Sequence, residues 1–373
     1  MYNQQAYELG AHRSSIRDLF EYGRQRSAII GAQNVCDFSL GNPSIPSPPQ
    51  VEQAIRDILS DTDSLQIHGY TSAVGDYAAR KAIADDLNAR FHTGVAPEEL
   101  FLGCGAAPEL VAVFRALAVK DGEILAIAPY FPEYKPFAEN SGLTFRVVPP
   151  DVPHFQIRLD AVEAMLTPHT VALIVNSPNN PSGTVYTHRT LVELASLLTR
   201  KSAEYGHPIY IVADEPYREL VYDGNKEDFL TKYYRNTLVG YSFSKSLSLP
   251  GERIGYVVVP DEAADAEELI RGIEISNRTL GFVNAPSLIQ KAVARCLEKK
   301  TDVTFYDENR SRLYEGLTKL GFTCIKPEGA FYLWVKSPVE NEEEFVNEGK
   351  KFNLLMVKGS AFGCPGFFSM TRP

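Results

Sequence analysis

No stretch of this chain stays apolar for the ~20 residues needed to cross a bilayer. Its amino terminus, Met1-Tyr2-Asn3-Gln4, has neither the basic start nor the apolar run of a secretory signal. Cysteine is sparse and never in C-x-x-C spacing. Cys36, Cys104, Cys296, Cys324 and Cys364 are scattered and odd in number, which argues against a disulfide framework or a zinc site and for reduced thiols. An excess of positive charge is missing too. Lys and Arg total 37 against 47 Asp and Glu, a formal charge of -10 that speaks against a nucleic-acid or anionic-membrane partner. There is no internal repeat and no low-complexity tract. What remains is 373 residues of ordinary globular composition, 44% hydrophobic and 23% charged, enough for two domains. The expectation is a soluble, cytoplasmic protein that grips any anion locally, with placed arginines and backbone N–H groups.

Periodicity places an amphipathic helix over residues 14–32, capped by Ser14 or Ser15, and another from Val51 to Leu59. Apolar runs then alternate with helical periods. Strands are expected at Ile124–Pro129, Thr144–Val148, Val171–Val175, Ile209–Ala213, Thr237–Phe243 and Ile254–Val258. Helices are expected at Glu109–Val119, Leu159–Leu166 and His188–Tyr205. Such alternation predicts an α/β fold with a mostly parallel sheet covered by helices on both faces. Ligands of such sheets bind at the carboxyl ends of the strands. A long helical stretch from about Ala263 to Lys299 leads to a smaller α/β region, with strands at Phe322–Lys326 and Ala330–Val335 and helices at Tyr306–Lys319 and Glu342–Lys351.

The most informative segment is Ser242-Phe243-Ser244-Lys245, which ends an apolar run and is followed by Arg253. A lysine at a strand end beside a cation can be held partly neutral and react with a carbonyl as a Schiff base. Serines and an arginine are phosphate donors. Lysine, phosphate grip and strand end together suggest pyridoxal 5′-phosphate, although Lys245 alone also reads as a solvated loop lysine. Four other segments bear on the choice. Val171–Gly183 runs into Asn179-Asn180-Pro181, either a plain turn or a presented amide. Ile209–Tyr217 delivers Asp214, either a helix cap or a carboxylate facing a protonated pyridine nitrogen, with Tyr217 in reach of the ring oxygen. Gly105-Ala106-Ala107 opens a helix, as a phosphate cup or as a simple helix start. Phe131, in the loop after a strand, is a stacking aromatic or just core.

The ordered set resembles fold-type I pyridoxal-phosphate enzymes, the class I/II aminotransferases of the aspartate aminotransferase type. The likeness spans residues 14 to 367, with further matches at Gly41-Asn42-Pro43, His68-Gly69-Tyr70, Pro327–Tyr332 and Gly359–Gly363. It implies a seven-stranded sheet in a large domain over residues 45–270. Residues 1–44 and 271–373 would then supply a smaller domain. It also implies a coenzyme held covalently on Lys245, paired with Asp214 through its ring nitrogen and contacted by Asn180, Tyr217 and Phe131. Gly105, Ala106, Ala107, Ser242 and Arg253 would hold the phosphate, and Gly41 would lie near the substrate carboxylate. Tyr70 would reach the partner's phosphate in a homodimer with shared sites. The substrates would be an L-amino acid and a 2-oxo acid such as 2-oxoglutarate; no metal is expected.

The family pattern also places an arginine on the substrate carboxylate where this chain has Ser369, and the small domain is expected to be cut short. Either the substrate grip is weakened, or Arg372 takes the clamp's place. β-Elimination or decarboxylation on the same coenzyme, or a coenzyme-binding but substrate-impaired form, stay open at this point. Arg278 is a candidate partner for an acidic substrate, against its reading as a solvated helix arginine.

Overall fold

The computed structural model describes residues 1–2, 4–11 and 15–371. Its centre is a seven-stranded sheet built from β1 (Leu100–Gly103), β2 (Glu123–Ile127), β3 (Thr144–Val148), β4 (Thr170–Asn176), β5 (Tyr210–Asp214), β6 (Thr237–Ser242) and β7 (Gly255–Val258). The spatial order is β1-β7-β6-β5-β4-β2-β3, and β7 runs antiparallel to both of its neighbours while the other pairings are parallel. Strands buried on both faces read as continuous apolar runs, and the side-chain alternation of β5 shows why. Ile211 and Ala213 enter one core, with the helices Tyr77–Phe91, His188–Tyr205 and Ser287–Ala294. Tyr210 and Val212 enter the other, with Ala106–Leu117, Tyr134–Asn140 and Ala266–Thr279. Emptying a site such as Val212 or Leu198, both fully buried, costs about 2–5 kcal/mol by large-to-small truncation.

Helix boundaries follow the local chemistry. Asp76 accepts from Ala79 N at 3.0 Å to start Tyr77–Phe91, and Thr187 accepts from Thr190 N at 3.1 Å to start His188–Tyr205. The latter helix stops at Gly206, whose φ of 76° is left-handed.

A second, three-stranded antiparallel sheet has the order β9-β10-β8, from β8 (Tyr332–Lys336), β9 (Val357–Lys358) and β10 (Phe367–Thr371). Cys36–Asp37 pairs in parallel with Leu354–Leu355, so the amino-terminal segment is tied to the carboxyl-terminal region.

Three differences from expectation stand out. Leu100–Gly103 was not among the expected strands, yet it is one, because β7 offers it an antiparallel partner. The helix expected over 263–299 breaks between Thr279 and Ser287, where Gly281 and Val283 have positive φ and Pro286 follows. Phe322–Lys326 forms a single bridge, Cys324 to Val335, rather than a strand. Ser14 and Arg372 lie outside the described residues.

Candidate active site

The carboxyl ends of β2, β4, β5 and β6 and the end of β1 open on one cavity of about 300 Å³. Register brings the pieces together. Asn176 pairs with Asp214, Asp214 with Gly240, and both Ser242 and Gly103 pair with Gly255. The loop after β1 therefore lies beside the end of β6. Lys245, Asp214, Tyr217 and Asn180 line the cavity, as do Phe131, Ala106, Ala107, Ser242, Arg253 and Gly41.

Lys245 sits in the short helix Phe243–Ser246, capped by Ser242, whose side chain accepts from Ser244 N. Its Nζ donates to the Gly41 carbonyl at 2.5 Å. Burial, with Arg253 as a second cation, lowers its pKa to about 8, so a fair share of the amine is neutral near physiological pH. The cavity's cations, among the described residues, are Lys245 and Arg253.

Asp214 is buried at the end of β5. Its Oδ2 accepts from the Tyr134 hydroxyl at 2.5 Å, while Oδ1 has no partner among the described residues. Burial drives its pKa up to about 7; the Tyr134 bond opposes the rise and neighbouring Glu215 adds to it. A buried carboxyl with one oxygen unspent and no cation against it is a receptor for a protonated ring nitrogen. Asn176 joins two strand ends: its Nδ2 donates to the Asp214 carbonyl at 2.7 Å, and its Oδ1 accepts from Asn180 N at 2.7 Å. That fixes the Asn180 backbone and leaves its own Oδ1 unpaired. Tyr217, buried, shares a short hydrogen bond with the Tyr332 hydroxyl. Burial pushes the pKa of Tyr217 well up.

The cup is compact. Gly105 (φ 95°) begins the helix Ala106–Leu117, and a Cβ there would lie 2.9 Å from Arg253 Nη2. Gly255 presses on the same turn: a Cβ would meet the Tyr241 carbonyl at 2.3 Å and Gly105 Cα at 2.9 Å. Helix N–H groups, Ser242 and Arg253 make an anion cradle of phosphate chemistry. Beneath it, Glu109 is fully buried and pushed to about pKa 8 by that burial. The residues present therefore fit pyridoxal 5′-phosphate: an amine, an unspent carboxyl oxygen and an anion cradle share one cavity with the Asn180 side chain.

Other expectations fare differently. Tyr70 is 92% exposed and does not line the cavity, and Arg278 is exposed at the end of its helix. Ser369 is fully buried on β10, two residues from the cavity-lining Thr371, and its Oγ has no partner among the described residues. Sequence reading assigned no role to Tyr134, Asn176 or Tyr332, although Asn176 lies inside Val171–Gly183 and Tyr332 ends Pro327–Tyr332. Spacing gave a hint only for Tyr134, three residues past Phe131. The Tyr217–Tyr332 contact joins residues 115 apart in the chain and has no local signal.

The described helices include none long and apolar enough to cross a membrane, and no metal-binding cluster occurs among the described residues. The family model for class I and II aminotransferases matches residues 33–372. An aspartate aminotransferase of Thermotoga maritima is 30% identical over 357 residues, covering 93% of this chain and 89% of the relative. A glutamate-pyruvate aminotransferase of Escherichia coli is 27% identical, covering 89% of this chain and 84% of the relative. Among solved structures, an aminotransferase from Eubacterium rectale shares 51% identity at a TM-score of 0.96, covering all of this chain and 94% of that one. The chain belongs to the class I and II aminotransferases and is a pyridoxal 5′-phosphate-dependent amino-acid transaminase.

Proposed function

We propose that Lys245 carries the coenzyme and moves the substrate proton, while Asp214, Asn180, Tyr217 and the cup hold and orient the ring. The observation that carries this reading is one cavity shared by a lysine amine of lowered pKa and a buried carboxyl with an unpaired oxygen. Bound on a lysine, pyridoxal 5′-phosphate supplies an electron sink that acidifies the amino-acid Cα–H bond. Asp214 holds a proton on the ring nitrogen, which keeps that sink effective. Asn180 and Tyr217 fix the ring oxygen, and Phe131 covers a ring face. Gly105, Ala106, Ala107, Ser242 and Arg253 grip the phosphate. The Lys245 amine, titrating near pH 8, both accepts the Cα proton and returns it. Its bond to Gly41 O holds it beside the loop that faces the incoming carboxylate.

The substrates are an L-amino acid, aspartate or another common one, and a 2-oxo acid such as 2-oxoglutarate. Relatives named for aspartate, aspartate/prephenate and glutamate-pyruvate transfer support that range. Ser369 in place of a guanidinium weakens the carboxylate grip by an amount on the order of a charge-assisted bidentate pair, a few kcal/mol. Exposed Tyr70 reaches the phosphate of a second copy, giving a homodimer with shared sites. Residues 45–270 form the coenzyme domain; the pairing of Cys36–Asp37 with Leu354–Leu355 supports grouping residues 1–44 with 271–373. Unpaired cysteines fit a cytoplasmic setting.

The test is a panel of amino donors with 2-oxoglutarate, run on the wild type, Lys245→Ala and Ser369→Arg. Wild type exchanges amino groups, Lys245→Ala loses the exchange, and Ser369→Arg lowers KM about tenfold or more for the same donors. Exchange at the wild-type rate by Lys245→Ala would refute the assignment.

A further inference from the structure

Tyr332 projects from β8 into the same cavity and is buried. Its hydroxyl lies against Tyr217 on one side and packs on Gly41 on the other, where a Cβ would come within 2.5 Å of it. Gly41 in turn accepts from Lys245. The phenol thus stands between the ring-orienting tyrosine and the loop that holds the lysine. The titratable and charged groups facing it are Tyr217 and Asp214.

A phenol has one hydrogen to give, and its oxygen can accept from others. The Tyr217 hydroxyl is engaged with that of Tyr332, and either can be the donor, so the open choice is where the Tyr217 proton points. If it points to Tyr332, it is withdrawn from the ring oxygen. If Tyr332 donates instead, the Tyr217 proton is released toward the ring, and donation in series strengthens the second bond.

We propose that Tyr332 is the positioning residue of Tyr217: its hydroxyl donates to the Tyr217 oxygen, so that Tyr217 gives its only proton to the phenolic oxygen of the coenzyme. This deepens the reading above and rests on Lys245 carrying the coenzyme. A further consequence is that the residue at position 41 is tied to ring electronics. Any side chain there collides with the Tyr332 hydroxyl and displaces it from its present contact.

The test uses the protein loaded with pyridoxal 5′-phosphate, without substrate, and follows the visible absorption of the bound coenzyme as pH is varied. Withdrawing a donor from the ring oxygen leaves that oxygen more basic, so the neighbouring imine nitrogen holds its proton to higher pH. Tyr332→Phe, which removes one oxygen atom, is expected to raise the titration midpoint by a few tenths of a unit to about one unit. Tyr217→Phe raises it further, and adding Tyr332→Phe to that variant adds nothing, because the effect passes through Tyr217. An unchanged midpoint in Tyr332→Phe, a lower one, or an equal shift in both backgrounds would overturn the proposal while the coenzyme assignment stands. Wild-type protein that never develops the absorption, or develops it equally in Lys245→Ala, would overturn the underlying reading and this inference with it.

Discussion

Replacing Tyr134 with phenylalanine removes the hydroxyl that donates to Asp214 Oδ2 at 2.5 Å and changes little else, because the ring is fully packed. The donor stabilises the ionised carboxylate more than the acid, so its loss raises the pKa of Asp214. Hydrogen bonds to charged groups contribute about 1.5–3 kcal/mol, and one pKa unit is about 1.4 kcal/mol, so the rise is about one to two units. Starting from about 7, the buried carboxyl of the variant titrates about one to two units higher. A coenzyme that needs the ionised form beside its ring nitrogen pays for that ionisation on binding at neutral pH. The net is an affinity about tenfold lower. Coenzyme-free protein titrated with pyridoxal 5′-phosphate, read by absorption at several pH values, measures it directly. An affinity within twofold of wild type throughout, with an unchanged circular dichroism spectrum, would refute the claim that Tyr134 holds Asp214 ionised.

Two further predictions concern the same elements. Asp214 has a folded pKa above its unfolded value, so the stability it contributes is fully present below pH 4 and lost as pH rises through about 7. From the ordinary carboxyl value of 3.8 to about 7 the loss is on the order of 4 kcal/mol. Coenzyme-free wild type, compared with Asp214→Asn by denaturant unfolding, should show a stability difference that shrinks in this direction from acid to neutral pH; a pH-independent difference would contradict it. Gly255→Ala places a methyl 2.3 Å from the Tyr241 carbonyl, against backbone that cannot swing away. A loss of about 1–3 kcal/mol and a weaker phosphate grip are expected, seen as a lower Tm and a higher Kd for the coenzyme.

Much of the architecture was legible because its signals are local. The strands β2 to β7 announce themselves as apolar runs, and Thr187 and Gly206 punctuate the His188–Tyr205 helix. Strand β1 was not legible: Leu100-Phe101-Leu102-Gly103 is too short for its periodicity to separate strand from helix or loop. Its state is set by β7, some 150 residues away. The break at Gly281–Pro286 was legible in principle, since glycine and proline stand there, but apolar periodicity on both sides masked it.

The candidate site divides in the same way. Which residue types stand at strand ends is a property of the sequence: Lys245, Asp214, Asn180 and the Gly105 turn are each next to an apolar run. Their chemical state is not. Lys245 titrates near 8 because folding buries it beside Arg253, and Asp214 near 7 because folding strips its water while the described residues supply its side chain a single donor, Tyr134. Tyr134 and Tyr332 acquire meaning only when the sheet register and the β8 strand bring their hydroxyls onto Asp214 and Tyr217. The sequence by itself determined the inventory of reactive groups and the kind of sheet that presents them, because both are written in short-range patterns. Only the tertiary structure decided which groups share a hydrogen bond and at what pH they ionise, because desolvation and proximity depend on contacts between residues distant in the chain.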